Sequence, residues 1–333
     1  MRPSAVGGII APMERDERDE DVIDWLLHAD PAIRWQVQRD LLDSPPDLVA
    51  AERALATREG LAARILELQD ERGYWGGFTY GPQRERDSVM WTLHVLLRFG
   101  VDPQAPEVRT AIERVREGVR WPEEDGGRPF FAGEIEECVN GGVLAYAAYF
   151  GVLDEASDRL VDRLLGQRLS DGGWNCDPVE ESVRSSFDST LCVLEGLRAY
   201  QRKTGTADAS IADAVRTGEE YLLERGLFRR RSTGELANPQ YATFAFPMYW
   251  FYDVLRALEH FRLNGGAPDA RLAPALELLL AQRLPDGRWP AGPQRPTLRG
   301  YVVEAPEGQP SRWNTLRALR VLRWAEPAAL TRR

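Results

Sequence analysis

Hydrophobic and polar positions along the chain predict two kinds of helix in alternation. Amphipathic stretches, with apolar residues at helical spacing on one face, each precede a stretch that is apolar on nearly all sides. The amphipathic stretches span residues 48–69, 105–117, 155–169, 208–224 and 269–284, and the apolar ones span 88–96, 141–150, 186–194, 252–258 and 311–319. A further pair, 21–28 and 31–43, is divided at Asp30-Pro31. We therefore expect six helical hairpins.

A closed ring is the arrangement that best accommodates these hairpins. The apolar helices would lie inside and the amphipathic ones outside, and closure removes the exposed apolar ends that an open array must cap. No long stretch alternates with the period of two that is typical of a strand. The predicted fold is all-α, an (α/α)6 toroid of about twelve helices. It forms one domain over residues 21–333, after a flexible acidic tail over residues 1–20.

A short motif closes three of the amphipathic stretches. It consists of a glutamine, a turn containing glycine and then a tryptophan, at Gln69–Trp75, Gln167–Trp174 and Gln282–Trp289. Glycine ends a helix readily because it tolerates the left-handed conformation there. The repeat therefore supports a fold built from copies of one hairpin unit.

This repeat resembles the QW motif of the terpene cyclase and protein prenyltransferase superfamily, over about residues 48–325. The first hairpin looks like that of bacterial squalene-cyclase-like proteins. The resemblance implies an α/α toroid, and the length of the chain corresponds to one toroid where squalene–hopene cyclases have two. It is more specific for the fold than for an activity.

The resemblance also implies one catalytic residue. Proton-initiating cyclases of the family carry Asp-x-Asp-Asp-Thr at the start of an inner helix, and Ser186–Thr190 occupies that place here. Asp188 aligns with the aspartate that donates the proton. The two outer aspartates are replaced by Ser186 and Ser189, which is a departure from the family pattern.

Aligned starts of the inner helices define the candidate site. In a closed ring they converge on one mouth of the central cavity. The candidate catalytic acids are Asp188, Asp253 and Glu137, since a desolvated carboxyl stays protonated and acts as a general acid. The candidate substrate-binding residues are Trp91, Phe187, Tyr252, Trp250, Trp313, Asn314, Cys138 and Asn140, of which the aromatic faces suit a carbocation. The competing interpretation is that Asp188 and Asp253 are helix N-caps.

We expect no metal and no organic cofactor. The prenyltransferase branch binds zinc through Asp, Cys and His, and the segment containing Glu134, Glu136, Glu137 and Cys138 lies where the Asp and Cys would come. A third ligand is missing there, so zinc is not expected. Whether this segment forms a metal site or contacts substrate stays open.

Charge and composition exclude several classes of partner. The chain has 333 residues and a net charge of −10, the opposite of a nucleic-acid-binding protein. No apolar run approaches the ~20 residues that cross a bilayer. The start of the chain lacks the apolar core of a signal peptide, so we expect a soluble, cytoplasmic protein. Its oligomeric state is left open.

Three functions remain compatible with the sequence. The first is a terpene-cyclase-like enzyme that uses an aromatic-lined cavity and an aspartic general acid on an isoprenoid or other apolar small molecule. The second is a toroid that binds a ligand without catalysis. The third is a hydrolase or lyase that uses cavity carboxylates on a polar substrate.

Overall fold

The computed structural model describes residues 17–80, 88–123, 126–134, 136–177, 182–293 and 302–326. Within these ranges the regular secondary structure is almost entirely helical. Its helices are α1 (Glu17–Leu27), α2 (Pro31–Asp40), α3 (Pro46–Ala56), α4 (Leu61–Glu67), α5 (Val89–Phe99), α6 (Pro106–Gly118), α7 (Glu137–Phe150), α8 (Glu155–Gly166), α9 (Phe187–Thr204), α10 (Ala209–Leu223), α11 (Val254–Asn264), α12 (Ala273–Ala281) and α13 (Arg312–Ala325). The strands β1 (Trp289–Pro290) and β2 (Pro310–Ser311) form a short antiparallel pair. The all-α class is confirmed.

The first helices differ in detail from the sequence prediction. The predicted helix over 48–69 is two helices, α3 and α4, because the chain is extended at Gly60. The Asp30 carboxylate fills that break: it accepts the Leu61 N–H at 2.8 Å and the Ala32 N–H at 2.9 Å, so it caps both α4 and α2. Helix α1 begins at Glu17, inside the predicted tail, while residues 1–16 and 327–333 lie outside the described residues.

Six helices pack in sequence around a common centre. Helix α5 contacts α7, α7 contacts α9, α9 contacts α11, α11 contacts α13, and α13 contacts α2. Hydrogen bonds complete the circuit from α2 back to α5: the Trp35 indole donates to Phe99 O at 3.0 Å, and the Gln36 amide donates to Arg98 O at 3.2 Å. These six are the inner helices, and α8, α10 and α12 pack outside α7, α9 and α11.

Four of the inner helices begin with the same kind of cap. The side chains of Ser88, Ser186, Asp253 and Ser311 each accept the backbone N–H three residues later. Each therefore satisfies one of the free N–H groups of the first turn. The cap fixes where each helix starts. The capping serines of α5, α9 and α13 align in the sequence repeat, whereas Asp253 of α11 lies three residues later in the same alignment.

The tryptophans of the repeated motif brace the outer helices. Trp75, Trp174 and Trp289 are almost wholly buried. Each indole N–H donates to the carbonyl ten residues earlier, at 2.7, 2.6 and 2.8 Å, near the end of the preceding outer helix. A buried indole needs such a partner, so each turn is tied to its own helix.

Helices α7 and α9 approach each other through glycines. A Cβ on Gly141 would lie 2.4 Å from Cys192 O, and one on Gly196 would lie 2.4 Å from Gly141 O. Only residues without a side chain permit this backbone contact. Among the described helices, none is both long and apolar enough to cross a membrane.

Candidate functional site

A cavity of about 490 Å³ lies between the inner helices. Ligand pockets commonly have volumes of ~300–1,000 Å³, so it can hold a small molecule. Two positions on each of four aligned inner helices, three residues apart, supply much of its wall. They are His94 and Leu97 on α5, Cys192 and Glu195 on α9, Arg256 and Glu259 on α11, and Arg317 and Arg320 on α13.

The end of the cavity where the inner helices begin is filled by residues 244–251, which we call the plug segment. Its Phe246, Met248, Tyr249 and Trp250 side chains line the cavity. The Met248 sulfur lies 3.3 Å from His94 Nε2, and the centre of the Tyr249 ring lies 3.9 Å from that of Trp91. Tyr249 adopts a left-handed backbone with φ of 50°, which is uncommon for an aromatic residue.

The plug segment corrects the predicted position of the cavity mouth. The sequence places the mouth at the starts of the inner helices, but there most of the plug segment is buried, and Trp250 and Phe251 are half-buried. The cavity instead reaches exposed residues near the opposite helix ends: Arg39 of α2, Arg202 and Lys203 of α9, and Leu263 of α11. The physical reason is that the apolar side chains of the plug segment lose contact with water when they lie between the inner helices.

Ionised side chains surround the middle of the cavity. Glu195 accepts hydrogen bonds from Arg98 at 2.9 Å and from Arg256 at 2.8 Å. Burial alone would raise the pKa of Glu195, but the guanidinium groups of Arg256 and Arg98 hold that pKa well below its usual range. Glu195 is therefore a carboxylate and not a proton donor at neutral pH.

The charges continue across α11 and α13 to α2. Glu259 accepts from Arg317 at 2.6 Å, and Arg320 pairs with Asp40 at 2.6 Å. Despite burial, Arg317 and Arg320 lower the pKa of Glu259. We call the whole set the charged belt; it comprises Arg98, Glu195, Arg256, Glu259, Arg317, Arg320 and Asp40.

Cations outnumber carboxylates on the cavity wall. Among the residues that the structure describes, nine arginines or lysines line the cavity, against the two glutamates Glu195 and Glu259. The cations outside the charged belt are Arg39, Arg53, Arg202, Lys203 and Arg262, which lie toward the open end. This wall contrasts with the net charge of −10 for the whole chain and favours anions.

Two histidines of the inner helices, His94 of α5 and His260 of α11, also line the cavity. His94 is buried, and burial holds its pKa well below the usual value, so it is neutral. Its Nδ1 lies 3.3 Å from the Tyr146 hydroxyl. His260 Nε2 lies 3.0 Å from Glu219.

Asp188 lies outside the cavity lining, in a cluster of aromatic rings. One of its oxygens accepts the Tyr252 N–H at 2.8 Å and the other accepts the Tyr241 hydroxyl at 2.9 Å. Phe187 packs against Tyr241 and Tyr252, with ring centres 5.2 Å apart in both cases. The N-cap of α9 is Ser186 and not Asp188.

Asp253 is the N-cap of α11. It is buried, accepts the Arg256 N–H at 2.7 Å, and lies 3.6 Å from Arg317 Nη2. Burial raises its pKa, with Arg317 opposing. The capping interpretation holds for this residue, which does not line the cavity.

The acidic segment before α7 faces other helices. Glu137 is buried and pairs with Arg163 of α8 at 2.8 Å. Asn140 holds the backbone of Glu134, accepting its N–H and donating to its carbonyl. Cys138 alone among the predicted residues of α7 lines the cavity.

The predicted aromatic and amide residues divide between the cavity and the surrounding core. Trp250 and Trp313 line the cavity. Trp91 lies behind them and meets Trp250 edge to face, while Trp313 stacks on Phe246 with ring centres 4.3 Å apart. Asn314 donates to Phe244 O and Pro290 O, which fixes the plug segment to α13 and β1.

Comparisons with known proteins give structural similarity only. No protein-family model matches the sequence, and no curated protein sequence matches it at a significant level. A variant of the type II terpene cyclase MstE from Scytonema, in complex with geranylgeranyl dihydroxybenzoate, is 18% identical, with a TM-score of 0.45 over 89% of this chain and 87% of that one. A protein from Actinoplanes is 16% identical, with a TM-score of 0.47 over 92% and 97%. Similarity at this level establishes neither the fold nor the activity of this chain.

Proposed function

We propose that this chain is an (α/α)6 toroid whose central cavity binds a small amphipathic anion, without a cofactor. The ligand would have an apolar body and a carboxylate or phosphate head. The observation that carries the proposal is the polarity of the cavity: the plug segment makes one end apolar, and cations dominate the other.

The apolar end suits a hydrocarbon chain or ring system. Met90, Phe246, Met248, Trp250 and Trp313 supply sulfur and aromatic contacts there. Methionine adapts its shape to a ligand, and aromatic rings contribute large apolar area. An isoprenoid or a fatty acyl chain has the matching chemistry.

The cationic end suits the head group. Hydrogen bonds between an arginine and an anion are among the strong ones, each contributing about 1.5–3 kcal/mol when shielded from water. Among the described residues that line the cavity, both carboxylates are already paired with arginines. Of the cations at the open end, Arg39 pairs with Asp40, and Arg53 donates to backbone carbonyls. Arg202, Lys203 and Arg262 are therefore the cations placed to meet a ligand's negative charge.

Ligand binding tests this proposal directly. Quenching of tryptophan fluorescence measures the binding of farnesol, farnesoate, farnesyl diphosphate and palmitate. The first three share one apolar chain, without and with a negative head, and palmitate offers a different chain with a carboxylate head. We expect the anions to bind more tightly than farnesol, by about 10-fold or more. Equal affinity for farnesol and farnesoate, or no binding by any of the four, would contradict the proposal.

A variant at the open end locates the head group. Lys203→Gln removes an exposed cation, and we expect farnesoate to bind about 3- to 10-fold more weakly while farnesol is unaffected. Arg159→Gln is the matched control, since Arg159 is exposed on α8 and does not line the cavity. An equal effect of both variants would indicate general electrostatics and not a local contact.

A second candidate is terpene-cyclase-like catalysis on an isoprenoid with Asp188 as general acid. The observation that favours it is the packing of Phe187, Tyr241 and Tyr252 around that carboxylate. Asp188→Asn would then reduce turnover by about 10²–10⁴-fold. The matched control is Asp208→Asn at the exposed N-cap of α10. The assay is formation of a cyclised product from polyprenyl alcohols, diphosphates and epoxides, and unchanged turnover would exclude the general-acid role.

Placement of the carboxylates gives the hydrolase or lyase alternative no support. Glu137 pairs with Arg163 toward α8, and Asp253 caps α11. Neither lines the cavity.

A further inference from the structure

Two cysteines meet where α7 and α9 begin, outside every role assigned so far. Cys138 lies in the first turn of α7, and Cys176 lies in the segment between α8 and α9. The two sulfurs and a carboxylate oxygen of Glu136 all lie within 4.8 Å of one another. Nothing in the sequence pairs them, because 37 residues separate the two thiols in the chain.

Donors surround the sulfur of Cys176. It accepts the backbone N–H of Cys138 at 3.3 Å, a first-turn N–H that has no partner within its own helix. It also lies 3.1 Å from the Ser189 hydroxyl, in the first turn of α9. The Cys138 thiol itself donates to the Glu136 carboxylate at 3.6 Å, and its sulfur lies within 4.8 Å of the Cys176 sulfur. The neighbouring Cys138 thiol is the main reason why the pKa of Cys176 is lowered, while burial and the Glu136 carboxylate oppose. These are the surroundings of a reactive thiolate.

The other two cysteines differ from Cys176. Cys138 is buried, and the neighbouring Cys176 sulfur together with burial raises the pKa of Cys138 well above the usual value. Cys192 is buried, and burial raises its pKa to about 11. Only Cys176 is both partly exposed and surrounded by donors. Cys176 is therefore the nucleophile of the pair, and Cys138 is the thiol placed to react second.

We propose that Cys176 and Cys138 are a redox-active dithiol that forms an intramolecular disulfide with a small disulfide oxidant. Cys176 thiolate attacks one sulfur of glutathione disulfide, its S–S bond breaks, and glutathione thiolate leaves and takes a proton from water. Cys138 then loses its proton to water and attacks Cys176 in the mixed disulfide, releasing the second glutathione. Two protein thiols are oxidised, and one glutathione disulfide is reduced to two thiols.

The disulfide would form at the cavity wall and tie it to a neighbouring segment, since Cys138 lines the cavity and Cys176 does not. It would join the first turn of α7 covalently to the segment that precedes α9. The cavity wall at Cys138 would then be fixed by a bond that depends on the redox state. This inference does not depend on the identity of the ligand.

Mass spectrometry of the reduced full chain tests the proposal. After incubation with glutathione disulfide and alkylation under denaturing conditions, we expect the mass of a chain that has lost two hydrogens. One thiol should be alkylated, and digestion should give a peptide in which Cys138 is linked to Cys176. Three alkylated cysteines after long incubation would overturn the proposal.

Variants assign the two roles. In Cys138→Ser the mixed disulfide on Cys176 cannot resolve, so we expect one stable glutathione adduct. In Cys176→Ser we expect no adduct at Cys138 on the same time scale. Cys192→Ser is the matched control and should oxidise like the wild type. An adduct at Cys138 in the second variant would reverse the roles and contradict the proposal.

A measurement on the wild-type protein covers the case in which a variant fails to fold. Under native conditions a limiting amount of monobromobimane should label Cys176 about 10-fold faster than Cys138 or Cys192. Similar rates for all three would overturn the proposal. The competing assignment is a metal site. If the protein binds one Co²⁺ per chain, with thiolate-to-metal absorption that requires both cysteines, and the ion protects them from oxidation, the dithiol proposal is overturned.

Discussion

Glu195 shows at the scale of single residues how the cavity wall is held. It lies between Arg98 of α5 and Arg256 of α11, so one carboxylate compensates two guanidinium groups. Removing the partner of a buried charge is costly, because the remaining charge keeps its desolvation penalty.

We expect Glu195→Gln to lower the free energy of unfolding by about 3 kcal/mol. The matched control is Glu155→Gln, which breaks the exposed pair with Arg159 and should change stability by less than about 1 kcal/mol. Urea denaturation of both variants measures the difference. Equal midpoints would mean that water in the cavity solvates the arginines fully.

Glu304 makes stability depend on pH. It accepts hydrogen bonds from the Ser311 hydroxyl at 2.5 Å and from the Ala305 N–H at 2.7 Å. Burial nonetheless raises its pKa from 4.5 to about 7. Below pH 4.5 the carboxyl is protonated in both states. Between pH 4.5 and 7 the unfolded chain loses the proton first, so stability falls as pH rises.

We therefore expect Glu304→Gln to be more stable than the wild type above pH 7, by roughly 3 kcal/mol, and the difference to shrink toward pH 5. Urea denaturation at pH 5 and pH 8 gives both values. The exposed Glu307, changed to Gln, serves as control. A difference that does not change with pH would contradict the assignment to Glu304.

The sequence predicts the site only in part at this scale. It marks Asp253 as a possible cap, and it marks Trp250, Trp313 and Cys138, which line the cavity. It misses the charged belt, although a signal is present. The sequence has charged residues at matching positions of two apolar helices, Arg256 and Glu259 on α11 and Arg317 and Arg320 on α13. Charges on buried helices are stable only when partners from other helices meet them, and one sequence does not show those partners.

At the scale of elements, the contact between α7 and α9 depends on two glycines. A Cβ on Gly141 would meet a backbone carbonyl of α9, which cannot move away as a flexible side chain could. The contact thus sets how closely two neighbouring inner helices pack.

We expect Gly141→Ala to destabilise the protein by about 1–3 kcal/mol, as overpacking does. Gly166→Ala is the matched control. Gly166 ends α8, has nothing within 4 Å of an added Cβ, and should gain stability slightly. Thermal unfolding of both variants measures the effect, and two changes of the same sign would contradict the close-packing argument.

Most helices follow from the sequence, because a periodic pattern fixes their type and approximate bounds. The break at Gly60 does not, since the Asp30 carboxylate that caps α4 comes from another helix. The plug segment is harder still. Its residues are apolar without helical or strand period, so only the space inside the ring determines where they lie.

At the scale of the whole molecule, α2 joins the two ends of the circuit of inner helices. It bonds to α5 through Trp35 and to α13 through the Asp40–Arg320 pair. The sequence predicts a ring from the number of hairpins but does not identify these joining residues. Asp40 and Arg320 lie 280 positions apart in the sequence, so they meet only after the intervening chain has folded back.

A double-mutant cycle measures the joint between α2 and α13. We expect Asp40→Asn and Arg320→Gln to show a coupling energy of about 1–3 kcal/mol, since the pair is largely buried. The exposed Glu220–Arg271 pair is the reference and should couple by less than about 1 kcal/mol. Equal couplings would mean that the joint rests on other contacts.

The joint between α2 and α13 also sets an order of events during synthesis. Helix α2 leaves the ribosome early, but its partner α13 follows only after most of the chain has been translated. At ~5–20 residues per second the wait is on the order of tens of seconds. During this time the face of α2 that will contact α13 has no partner, so the nascent chain exposes a surface that chaperones can bind.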